Sequence, residues 1–164
     1  MSIFASQTQS DPIPLPFDEG QTITIRALSG LELEAAQTAH MKSLVGGRSA
    51  RGWSGAFQRI LAGVATPADA EQALADPLAG YDRTVIVRAG LVGWSYSQAI
   101  TSVKVGTVGA PAKIIDAIDD LKDEPLEFMA RAILQRTKPS LFQTPEEAKA
   151  AQREADAVPS FTGR

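Results

Sequence analysis

The sequence predicts a mostly α protein, a multi-helix bundle with one short N-terminal strand and extended termini. Three observations predict it. Cap-and-proline start signals recur along the chain, apolar residues repeat at helical spacings, and one run alternates as a strand does. At 164 residues with 44% hydrophobic and 21% charged residues, the chain has the length and composition of a single globular domain. Three segments are expected: an extended, proline-containing arm over residues 1–20, a helical domain over 21–142, and an alanine-rich helix with a flexible tail over 143–164.

In the arm, Pro12, Pro14 and Pro16 alternate with apolar residues, which favours extended backbone because proline fixes φ and restricts the residue before it. Residues 22–28 form the β-prone run, with Ile23 and Ile25 on one face. A lone strand leaves its edges unpaired. Its partner is a second short strand, another subunit, or helices beneath an extended strap. Ser29 and Glu32 have capping-box spacing and Leu28 and Leu33 have staple spacing, so a helix starts here and runs to about Val45, before Gly46 and Gly47. Trp53, Phe57, Ile60, Leu61 and Val64 mark the next helix and read as a core stripe.

Thr66, Pro67 and Asp69 start a short helix that ends near Ala75, and Asp76 with Pro77 is read as opening another. From there Tyr81, Val85, Ala89, Val92 and Tyr96 share one face of a long helix. Residues 95–110, with valines between glycines, read as a loop or as a hairpin strand against residues 22–28. After Pro111 a helix is expected with Ile114, Ile118 and Leu121 on one face. Asp123 is expected to cap the helix that follows, whose stripe is Leu126, Met129, Ala130, Ile133, Leu134 and Thr137. Thr144, Pro145 and Glu147 start the last helix, which has hardly any large apolar residue to bury.

Composition narrows the chemistry. With no cysteine, thiolate metal sites, disulfides and a cysteine nucleophile are excluded. The single histidine, His40, lies on a partly apolar helix face with no second histidine to share a metal, and reads as a packed or half-exposed structural residue. Six acids fall between Asp116 and Glu127, but the central glycine of a calcium loop is missing, so they read as a solvated face. Lys42, Arg48, Arg51 and Arg59 make a local basic stretch near Trp53; nucleic-acid binding is the sharper reading and a solvated face the plainer one. A net charge of −3 gives no general field for nucleic acid or an anionic membrane. No nucleic-acid or membrane partner, no cofactor, no metal and no enzymatic activity are expected. The first twenty residues lack the cationic start and apolar core of a signal peptide, which points to the cytoplasm.

Four stretches carry a resemblance: TITIRALSGLELEAAQ, DPLAGYDRTVIVRAGLVGWSY, IDDLKDEPLEFMARAILQRTKP and QTPEEAKAAQ, spanning roughly residues 22–152. In this order they resemble the small tail assembly chaperones of long-tailed (siphovirus-like) bacteriophages and prophages. The resemblance implies a mostly helical, non-enzymatic protein of the host bacterial cytoplasm that self-associates. It also implies that the protein binds the long helical tape measure protein during tail assembly, and it carries over no catalytic residue. A structural tail or connector component retained in the virion is the alternative, with the proline-rich arm clasping a neighbour. Three residues are candidate partner contacts. Trp94 and Tyr96 stand beside glycines at the end of the long helix, either as core or as aromatic anchors, and Phe161 lies in the tail.

Overall fold

The computed structural model describes residues 9–46, 53, 55–97, 101–105 and 113–157. The chain is mostly helical, with six α-helices and five short strands among the described residues. In order these are β1 (Ile13–Pro14), β2 (Thr22–Ile25), α1 (Gly30–Gly46), α2 (Gly55–Leu61), α3 (Pro67–Ala75), α4 (Arg83–Gly90), β3 (Leu91–Trp94), β4 (Thr101–Val105), β5 (Lys113–Asp116), α5 (Asp123–Thr137) and α6 (Pro145–Ala157).

The alternating run does form a strand, and it finds partners on both sides. β1 and β3 flank β2 in an antiparallel sheet, with Ile13 opposite Ile23 and Trp94 opposite Ile23 on the other side. Pro14 is tolerated because β1 is an edge strand. Residues 9–17 are therefore docked on the domain: Leu15 is buried, and Ser10 Oγ accepts from the Ile25 amide at 3.0 Å. The partner drawn from mid-chain is not residues 95–110 but residues 91–94, which the helical periodicity had claimed. The helix of residues 78–96 is thus shorter than expected. It covers only α4, and residue 91 passes directly into β3. Pairing satisfies the backbone of β2, and that requirement outweighs the helical spacing of Val92 and Tyr96.

Asp76 and Pro77 begin a turn, not a helix. The Asp76 carboxylate accepts from the Leu78 amide at 3.0 Å, Gly80 takes a φ of 83°, and α4 starts instead after Asp82, which caps Val85. The helix expected after Pro111 is also corrected. Residues 113–116 form β5, paired with β4, followed by a 3₁₀ turn at Ala117–Asp120 that buries Ile118. Two adjacent isoleucines fit a paired strand as readily as one helix face, and the presence of β4 decides between them. Lys122 occupies the cap position of α5 without a side-chain bond, so Asp123 is the first helical residue and not the cap.

Where a capping box marks the start, the expectation holds. Ser29 and Glu32 close the capping box of α1, with the Ser29 amide donating to Glu32 Oε2 at 2.8 Å. Thr66 and Asp69 do the same for α3, and Thr144 and Glu147 for α6. The core joins Ile23, Ile25 and Leu91 of the sheet to Ile86 and Val87 of α4 and to Leu126, Met129, Ile133 and Leu134 of α5. Helix α4 meets α5 at Gly90, where a Cβ would overlap the Ile133 side chain. A buried ion pair ties the turn to both helices: Arg83 donates to Asp76 at 2.6 Å, and Arg131 reaches the same carboxylate at 3.1 Å. No helix among the described residues is long and apolar enough to cross a membrane.

Candidate functional site

Trp94 and Tyr96 come together, although on a strand and the residues after it. Spaced two apart, they point to the same side, and their rings meet edge to face at 5.6 Å and 86°. Both are partly buried against the core. Tyr96 Oη donates to Asp18 Oδ2 at 2.7 Å. Loss of water around the phenol and this carboxylate push its pKa up to about 12. With Phe17, Lys122 and Glu124 they wall a cleft of about 380 Å³ that mixes apolar and charged groups. The Tyr96 hydroxyl is bonded within the chain, and the two aromatic rings form one wall of this cleft. Phe161 lies outside the described residues.

A second recess is more apolar. Leu33, Ala36 and His40 form the buried stripe of α1, and Trp53 with α2 packs across its end. The rings of His40, Trp53 and Phe57 form a triangle with centroid separations of 5.8, 5.8 and 5.1 Å. They wall a cavity of about 400 Å³, completed by Ala70, Ala73 and Leu74 of α3 and by Leu78, Ala79 and Gly80 of the turn before α4. Small residues of α3 facing the rings of His40, Trp53 and Phe57 leave the space unfilled. Leu74 is 88% exposed and stands at the mouth, while Leu61 and Val64 are exposed nearby in sequence. The expected core stripe of residues 53–64 is thus split: Trp53 is buried, whereas its last two members face solvent.

His40 is packed, as its lone position suggests, being 9% exposed. Burial holds its imidazole neutral by lowering its pKa; Asp82 opposes this and Arg83 adds to it. Among the described residues, His40 Nδ1 and Trp53 Nε1 are buried with no hydrogen-bond partner. The Arg83 guanidinium also lines the cavity, but its charge is matched by Asp76. Sequence reading missed this recess because it treats an aromatic stripe as filled core. The available signal was the pair Ala70 and Ala73, one turn apart on the facing helix.

Of the basic stretch, Arg59 is paired with Asp69, and Arg48 and Arg51 lie outside the described residues. Asp119 of the acidic run pairs with Arg88 at 2.5 Å, and Asp120, Asp123 and Glu124 are exposed. Among the described residues no three His, Asp or Glu side chains converge as a metal site would require. Outward on α1, Met41 and Val45 are 58% and 87% exposed, so that helix carries an uncovered apolar row. No match was found among known protein families, curated proteins or solved structures.

Proposed function

We propose that this chain is a tail assembly chaperone of a long-tailed bacteriophage, a non-enzymatic protein that binds the tape measure protein in the host cytoplasm while the tail is built. One observation carries the reading: an aromatic-walled apolar cavity whose lining residue Leu74 is left exposed. A folded domain that keeps large apolar side chains in water around a concave apolar site gains by covering them with another chain. The partner mode that fits is an amphipathic helix laid into a groove, read by apolar anchors spaced along one face. The uncovered row on α1 offers a second apolar surface. The resemblance of the four sequence stretches points to the same class of partner. Self-association would multiply these contacts along a long helical client.

The test is co-expression with the longest helical protein encoded beside this chain. Soluble, co-purifying partner is the expected result. A partner that stays insoluble sinks the reading, and stoichiometric recovery of this chain from purified particles would replace it with a structural tail component.

A further inference from the structure

We infer that the cleft walled by Trp94 and Tyr96 is a docking site for an arginine side chain carried by a protein partner. Three separate stretches of chain build it. The turn after β1 brings Phe17 and Asp18, the end of β3 brings the two aromatics, and the 3₁₀ turn with the first turn of α5 brings Asp120 and Glu124. At about 380 Å³ the cleft has the size of a small-ligand pocket, ample for one long side chain. Among the described residues it shares no lining residue with the apolar cavity, so arginine docking and the chaperone reading stand or fall separately.

The walls combine two chemistries. Phe17, Trp94 and Tyr96 are half-buried aromatics, and Asp18, Asp120 and Glu124 are exposed acids lining the same cleft. The Tyr96 hydroxyl fixes Asp18 in place at 2.7 Å through one oxygen and leaves lone pairs for a second donor. Among the described residues, Asp120 and Glu124 make no ion pair. Against these three carboxylates stand one ammonium, Lys122, and the positive pole of α5, worth about half a charge, so the cleft stays short of positive charge. Such a wall favours a cation and repels an anion. A lysine ammonium is compact and strongly hydrated, whereas a guanidinium is planar, stacks on aromatic faces and donates in a fork that matches carboxylates. Arginine therefore meets both chemistries at once. A protein carrier follows from the flanks: half-buried Leu121 and Pro125 also line the cleft, and the chain on either side of an arginine covers them where a free amino acid does not.

The test titrates the full chain with a short peptide holding one arginine between leucines, with the same peptide carrying citrulline instead, and with arginine amide. Citrulline keeps the shape and removes the charge. With only two tryptophans in the chain, their indole resonances are readily followed by NMR. The arginine peptide should bind about tenfold tighter than its citrulline analogue and more weakly as salt is added, with the Trp94 resonance moving and that of Trp53 unmoved. Arginine amide should bind more weakly than the peptide. In the double variant Asp120→Asn, Glu124→Gln, both at exposed positions, peptide affinity should fall about tenfold with the thermal midpoint unchanged, and Lys122→Gln should raise it about threefold. Equal affinity for the two peptides, no binding by either, a shift confined to Trp53, or a double variant that binds as the unaltered chain does would overturn the inference. Arginine amide binding as tightly as the peptide would overturn it too, by removing the protein carrier.

Discussion

Helices α5 and α6 begin in similar ways and end in different worlds. Both carry acids in the first turn and proline near the start, and α6 has the better cap, since Thr144 and Glu147 bond reciprocally while Lys122 caps nothing. Yet α5 buries five residues, from Leu126 to Leu134, and every described side chain of α6 is exposed. Capping chemistry sets where a helix starts. An apolar stripe sets whether it is attached to anything, and α6, rich in alanine, has none.

The largest effect should come from the attached side. Removing the carboxylate in Asp76→Ala leaves the buried Arg83 guanidinium without its counter-charge, and about 3–5 kcal/mol of unfolding free energy should be lost in urea titration. A loss below about 1 kcal/mol would mean that the ion pair is not held in the folded core. Next, Gly90→Ala forces a methyl into Ile133 at the α4–α5 contact, with an expected cost of about 1–3 kcal/mol. Adding Ile133→Val should recover part of it, and strict additivity of the two changes would show that the helices do not meet there.

Acid should act on the attached side as well. The folded chain keeps His40 neutral below its ordinary 6.5, so the unfolded chain takes up a proton first. Stability should therefore be intact above pH 6.5 and fall as pH drops, by at most about 1.4 kcal/mol per pH unit. His40→Phe should flatten that limb. Arg26 and the Ser29 cap lower Glu32 from its ordinary 4.5 to about 2, with Arg26 the larger cause. Its contribution is present above pH 4.5 and is lost towards pH 2, a second limb that Glu32→Gln should remove. The smallest effect belongs to α6. Deleting residues 144–164 should move the thermal midpoint by less than about 2 °C while weakening partner binding. A larger drop would show that the unattached helix is part of the core after all.

The same contrast explains what was legible in the sequence. Ser29, Thr66 and Thr144 announced their helices because a capping box is local, needing only residues three apart. The stripe of α5 was legible because five of its residues face one core. What failed was whatever depended on a distant partner. Val92 and Tyr96 fit a helix until β2 is known to need an edge, and the two isoleucines of β5 fit a helix until β4 is present. Asp76 looked like a cap because nothing nearby announces Arg83 and Arg131 as its claimants. The Trp94–Tyr96 pair was legible as aromatic; its commitment to Asp18, 78 positions away, was not. The cavity was least legible of all, since a void is a property of two facing helices and of neither sequence alone.

The pairing of β2 with β3 has a further consequence during synthesis. The Thr22 amide donates to Ser95 Oγ, 73 residues downstream. At about 5–20 residues per second, the first strand emerges about 4–15 s before that contact can exist. Throughout that interval β2 has only β1 to pair with, and α1 is made before the α4 it packs against exists. The nascent chain thus passes through a stage in which its own N-terminal third is a client in need of shelter.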